Sequence, residues 1–178
     1  MSEEHVVFAS AIEALARILE PHPEVRAKVA AAGLDLVKQK AAIPRAQWDQ
    51  AVLIAAKALH PGATTAEAQR QLGRLTIEHY GKGVIGSALF AMLKLIGPMR
   101  ALGRTRRNFR TSNNYTECKL TERGPREVEL WMNENATVAE YTGGVVEAGV
   151  AAAGGKNARA VIQKSDAEGT TFVVTWDP

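Results

Sequence analysis

Five arginines, Arg100, Arg104, Arg106, Arg107 and Arg110, crowd beside Phe109 in the stretch 97–116, which reads GPMRALGRTRRNFRTSNNYT. Clustered guanidinium groups neutralise phosphates, and an aromatic ring among them can stack on an exposed base. The stretch is no recognised nucleic-acid motif, so nucleic-acid binding is the least favoured reading. Such a loop also pairs with carboxylates, caps helix C-termini or holds a small anionic head group. The other reactive side chains do not assemble. His5, His22, His60 and His79 show no metal-ligand spacing, so no metal site is expected. His79 is the one histidine on an apolar-periodic helix, where it reads either as a satisfied core residue or as a haem ligand. Ser87 lacks the glycine pattern of a nucleophile elbow, and Glu127 and Glu129 fall on the solvent face of a strand. The run Gly81-Lys82-Gly83-Val84-Ile85-Gly86 fits the dinucleotide-binding pattern on paper, but a helix and not a strand precedes it, which makes it a helix–helix turn. These residues predict binding and not catalysis: the chain is expected not to be an enzyme.

The elements that must position them change character midway. In the front half apolar residues recur every three or four positions, beginning with Val7, Phe8, Ala11, Ile12, Leu15, Ile18 and Leu19, which predicts a helix that Pro21 and Pro23 stop. A second helix is predicted over 24–32, closed by Gly33. Pro44 is expected as the first residue of a third, whose stripe is Trp48, Ala51, Val52, Ala55 and Leu59. Thr64-Thr65-Ala66-Glu67 has capping-box spacing and should start a fourth. The segment 84–96 is apolar around nearly its whole circumference, and a helix of that kind is expected at the centre of the core.

After the arginines the period drops to two, the mark of strands. Strands are predicted over 114–120 and 127–132, with Val128, Leu130 and Met132 facing inward, and over 158–163 and 170–176. Between the two hairpins, 137–153 reads as a helix despite Gly143, Gly144 and Gly149. Each interior glycine costs about 1 kcal/mol relative to alanine, so close approach to a neighbouring backbone, either the sheet or a partner subunit, is the expected compensation. The fold class is therefore α+β: N-terminal helices (about 1–104) packed on a C-terminal four-stranded antiparallel sheet (about 113–178), in one domain spanning 1–178.

Composition narrows the partners. The chain has 178 residues, 46% hydrophobic and 23% charged, with one cysteine, Cys118, so no internal disulfide can form. No apolar run is long enough to span a membrane, and the acidic start at Ser2-Glu3-Glu4 is unlike a secretion signal, which leaves a cytoplasmic address as the expectation. Between Lys94 and Arg126 nine Lys/Arg stand against only Glu117 and Glu122, a net +7 that leaves −4 for the rest of a chain whose total is +3. That polarity suits an anionic partner or an acidic surface on the same or a second subunit.

Several short runs together carry a resemblance: Leu72-Gly73, Leu95-Ile96-Gly97-Pro98, the arginines leading to Phe109-Arg110-Thr111, Asn113-Asn114-Tyr115, Tyr141-Thr142-Gly143-Gly144 and the closing Phe172-Val173-Val174-Thr175-Trp176. Over nearly its whole length the chain resembles a myxobacterial paralogous family of unknown function. Through its fold that family is similar to a superfamily of haem-based nitric-oxide sensors, vinyl-reductase-type ligand-binding domains and Golgi-transport tethering subunits that hold an acyl chain. The resemblance implies helices on an antiparallel sheet with an internal pocket. The haem sensors' Tyr-x-Ser-x-Arg motif is absent, however, as is the vinyl-reductase cysteine set. No cofactor is therefore expected, with haem as the alternative.

The resulting expectation is a non-catalytic regulatory or signalling domain that binds a small apolar or amphiphilic ligand between the 84–96 helix and the sheet. Phe90, Met92, Leu93, Val128, Leu130 and Val145 would line the pocket, and Phe109 with Arg107, Arg110 or Tyr115 would hold a polar head. The alternative is a protein–protein interaction module, a homodimer formed through the glycine-rich helix and an exposed sheet edge.

Overall fold

The computed structural model describes residues 4–38 and 40–178. The chain is α+β. Strand β1 (Val6–Phe8) runs into helices α1 (Ala9–Leu19) and α2 (Pro23–Ala31), and β2 (Ala42–Pro44) runs into α3 (Arg45–Leu59). Helices α4 (Thr65–Tyr80), α5 (Val84–Ile96), α6 (Pro98–Leu102) and α7 (Thr105–Phe109) complete the helical part. Then come β3 (Cys118–Gly124), β4 (Glu127–Met132), α8 (Ala139–Ala152), β5 (Lys156–Ser165) and β6 (Thr170–Asp177). The last four strands form one antiparallel sheet in the order β3-β4-β6-β5.

Local signals set most boundaries. The Thr64 hydroxyl accepts the Glu67 amide at 3.3 Å, and the Thr64 amide donates to the Glu67 carboxylate at 3.0 Å, so both halves of the capping box are made at the start of α4. Pro23 and Pro98 open their helices, where a missing N–H leaves no bond unmade. In β4, Val128, Leu130 and Met132 are fully buried, and Leu130 stands opposite both Leu120 and Phe172.

Three expectations need correction. Val7 and Phe8 belong to β1, and Pro44 ends β2 instead of opening α3; the two strands pair with each other, Val7 opposite Ile43. Strands of three residues are too short to show a period. What holds β1 is remote: the Phe8 amide donates to the Ser112 carbonyl at 2.7 Å and the Val6 amide to Asn114 Oδ1 at 2.8 Å. The first sheet strand starts later than expected, at Cys118, because 112–116 is occupied with these contacts.

The third correction is the largest. Helix α5 is peripheral: only Gly86 and Leu93 are buried, while Val84 and Leu95 are 89% and 87% exposed. The helices at the centre are α4 and α8, which cross where Gly73 meets Gly144. A Cβ on Gly144 would collide with the Arg70 carbonyl, and one on Gly73 with the Tyr141 carbonyl. Gly144 thus admits another backbone, that of α4; Gly143 faces the Arg70 guanidinium and the Ala160 carbonyl of β5, so the sheet is a neighbour as well, and Gly149 has no atom close to it. Around the crossing, Arg70 donates to Glu140 Oε2 at 2.9 Å, to Glu147 Oε1 at 2.5 Å and to the Ala160 carbonyl at 2.8 Å. Glu147 also accepts Arg74 Nε at 2.8 Å and the Ala160 amide at 3.0 Å, tying α4, α8 and β5 together.

The apolar interior divides accordingly. One cluster gathers α1–α4 with Tyr115, Tyr141 and Val145, and a second gathers the sheet with Leu102, Val146 and Val150. A small third one joins Leu93, Ala101 and Ala153 under α5.

Candidate functional site

A cavity of about 130 Å³ lies where these three clusters meet. Its long wall is one face of α8: Tyr141, Thr142, Val145, Val146, Gly149 and Val150, the spacing that stacks residues on a single helix side. At a rise of ~1.5 Å per residue this face is about 13 Å long. The far end is closed by Leu89, Phe90 and Leu93 of α5 and by Leu102 of α6. The near end is polar, with Asp49, Tyr115, Thr116 and Glu134 joining Tyr141 and Thr142.

The side walls are fixed by the segment between α7 and β3. Tyr80 Oη and Thr111 Oγ1 lie 2.8 Å apart in a hydrogen bond. Asn113 Oδ1 accepts the amides of Tyr115 at 3.1 Å and Thr116 at 3.0 Å, while Asn133 Nδ2 donates to the Tyr115 carbonyl at 2.9 Å. The segment Thr111-Ser112-Asn113-Asn114 contributes Thr111, Ser112 and Asn113 to the cavity wall.

The polar end is organised around Arg45. Its guanidinium donates to Glu134 Oε1, stands 3.6 Å from Asp49 Oδ2 through Nε, and lies 4.5 Å above the Tyr115 ring, which stacks on His5 from a centroid distance of 5.3 Å. Thr142 Oγ1 donates to Glu134 Oε2 at 2.8 Å, and Asn135 Nδ2 donates to Asp49 Oδ2 at 2.9 Å. Burial pushes both carboxyls above their ordinary range, opposed at Glu134 by the Arg45 charge and the Thr142 hydroxyl and at Asp49 by Asn135 and Arg45.

Of the residues the sequence nominated, Phe90, Leu93, Phe109, Tyr115 and Val145 line this cavity. Met92 does not: it lies on α5 against the small cluster of Leu93, Ala101 and Ala153, with its sulfur 3.5 Å from Arg104 Nη1. Val128 and Leu130 are spent in the sheet cluster against residues such as Phe172 and Val174. Arg107 is exposed, and Arg110 pairs with Glu117 at 2.7 Å, so neither reaches the interior. One turn of α7 cannot bury Phe109 and its arginines on the same side. The residues that sequence reasoning missed are Asp49, Glu134, Tyr141 and Thr142. Arg45 and Asp49 are a readable i,i+4 pair, but Glu134, which carries Thr142 with it, reaches Arg45 across 89 residues of chain, and no local pattern encodes that.

These residues do not fit haem. Haem iron is held by His, Cys, Met or Tyr, and among the lining residues only Tyr80, Tyr115 and Tyr141 belong to that set. Tyr80 is committed to Thr111, and burial pushes the Tyr115 and Tyr141 phenols up, against the phenolate a metal needs. His79 lies outside the lining, in the last turn of α4; burial lowers its basicity, helped by Lys82, and its Nδ1 has no hydrogen-bond partner among the described residues. The charged residues lining the cavity are both carboxylates, which repel porphyrin carboxylates. Among the described residues no group of three His, Cys, Asp or Glu is placed to hold a metal ion, and no helix is long and apolar enough to cross a membrane.

Known structures share the architecture. A mutant of the Fe(II) unliganded H-NOX protein from K. algicida matches with a TM-score of 0.63 at 12% identity, over 95% of this chain and 96% of that one. An oxygen-binding H-NOX domain related to soluble guanylate cyclases matches with a TM-score of 0.57 at 14% identity, covering 95% and 92%. A mutant of the T. tengcongensis H-NOX gives 0.57 at 10% identity, covering 93% and 94%. At such identities the likeness concerns the fold. No curated protein matches the sequence. The sequence profile of the family described as a protein of unknown function, DUF2378, matches residues 5–177, and the chain belongs to that family.

Proposed function

We propose that the protein is a non-catalytic, small-molecule-binding regulatory domain whose ligand occupies the cavity along α8. The carrying observation is the cavity itself: an apolar channel with one polar end, at the seam between helices and sheet, which are the properties of a ligand site and not of a packing defect. The H-NOX-like architecture supports a sensor role, and the misfit with haem points to a different ligand. The one hydroxyl–carboxylate pair in the polar end, Thr142 with Glu134, has its carboxylate also held by Arg45, and no histidine, cysteine or lysine is among the lining residues, which favours binding over chemistry.

Gly149 supplies the test. It lines the cavity, and a Cβ built there meets no atom within 4 Å, so a larger side chain can enter without moving the backbone. Octanol, as an apolar probe, is expected to raise the melting temperature of the native protein, since a ligand at a hundred times its Kd stabilises by about 2.7 kcal/mol. Gly149→Leu should fold and lose that response. Equal responses from the two proteins would reject the cavity as the site.

The bare face of α5, with Val84, Ile85 and Leu95 exposed, favours a second reading as an interaction module. The glycine helix proposed from sequence for such a contact is occupied by α4, so α5 would be the contact instead.

A further inference from the structure

We infer that the ligand carries a cationic head, an ammonium or amidinium, on an elongated apolar body, and that Asp49 is the residue that recognises it. This rests on the cavity reading above and fixes the sign of what it binds. The arginines that made an anionic head attractive in the sequence all lie elsewhere: no Lys or Arg lines the cavity, whereas Asp49 and Glu134 do. Two carboxylates share one guanidinium at the polar end, so that end carries an excess negative charge.

The hydrogen bonds show which carboxylate is available. Both oxygens of Glu134 are engaged, Oε1 by Arg45 and the Asn135 amide (3.0 Å) and Oε2 by Thr142 (2.8 Å). Asp49 is engaged through Oδ2 alone, and Oδ1 accepts no bond among the described residues. Arg45 is itself held by the Asn133 carbonyl at 3.4 Å and by the Tyr115 ring, so it cannot swing away to serve a carboxylate ligand. A cation at Oδ1 would bring the end to two positive and two negative groups, the arrangement a partly buried cluster needs. An anionic head would meet two carboxylates and no free donor of positive charge. From this end the wall of α8 turns apolar at Val145 and runs so to Val150 apart from Gly149, about 7.5 Å of apolar wall within a face of about 13 Å.

Octylamine, octanol and octanoate differ only in the head and can be titrated into the intact protein by calorimetry near neutral pH. Octylamine should bind at least about ten-fold tighter than octanoate, with octanol between them. Asp49→Asn, which keeps size and shape, should weaken octylamine about ten-fold and leave octanol unchanged. Octanoate binding as tightly as octylamine, or an Asp49→Asn protein that keeps its full preference for the amine, would overturn the inference while leaving the cavity reading intact. Binding of none of the three would overturn both. The comparison of the three probes on the native protein stands whether or not the variant folds.

Discussion

Helices α5 and α8 are the two apolar, glycine-containing helices of the chain, and they have opposite fates. Helix α5 is the greasier by composition, with Ser87 and Lys94 its only polar side chains, yet it lies on the surface. Helix α8 carries Glu140, Glu147 and three glycines, yet residues 141–147 are all buried. What separates them is access. Gly144 lets the α4 backbone approach α8, Gly143 leaves room for the Arg70 guanidinium and β5, and polar side chains of α8 are paired: Glu140 and Glu147 take Arg70, while Thr142 takes Glu134. Helix α5 has one such contact, Gly86 against the Tyr80 carbonyl at its first turn, and beyond it only Leu93 is buried. Apolarity measures what a helix would gain from burial; close approach decides which helix obtains it.

The comparison breaks most severely at Gly144. Gly144→Val puts branched carbons against the Arg70 carbonyl and should destabilise by more than about 3 kcal/mol, read as a fall in the urea midpoint. A loss below about 1 kcal/mol would mean that the crossing is looser than described.

A second, intermediate effect sharpens the polar end of α8. The carboxyls of Glu134 and Asp49 lie above their ordinary values of 4.5 and 3.8. The folded state therefore holds these protons more tightly than the unfolded one. Their stabilising contribution is complete below the ordinary values and is lost as pH rises through the raised ones. Glu134→Gln imitates the protonated form, so the stability of the variant relative to the native protein should improve between about pH 5 and pH 8 in thermal melts. A gap between the two proteins that does not change over that range would show that Glu134 is not buried with its charge.

The smallest effect belongs to α5. Leu95→Ser on its exposed face should change monomer stability by less than about 0.5 kcal/mol at low protein concentration. A larger loss that grows with concentration, with a matching drop in mass by light scattering, would show that a second copy covers this face and would turn the second functional reading into the leading one.

Much of the fold was legible because it is encoded locally. The capping box at Thr64, the switch of period after the arginines and the alternation of Val128, Leu130 and Met132 each identify an element without reference to the rest of the chain. The α8 glycines even announced a close neighbour, though not which. The site was legible only in its apolar half: Phe90, Leu93, Phe109 and Val145 are conspicuous side chains in periodic segments. Its polar half was not, because Asp49 reads as a surface partner of Arg45 and Glu134 as one residue of a polar turn, Asn133-Glu134-Asn135.

By itself the sequence determined the longer helices, the two antiparallel hairpins, their order and the excess of positive charge around 94–126, since each depends on neighbours within a few residues; the short β1, β2, α6 and α7 were not legible in it. The tertiary structure decided which helix is central, that the arginines face outward to Glu117 and solvent, and that two carboxylates and not two guanidinium groups line the cavity. Those outcomes depend on groups distant in sequence meeting in space, at Gly73 with Gly144 and at Arg45 with Glu134. Steric fit and charge pairing at such meetings act only once the chain has closed.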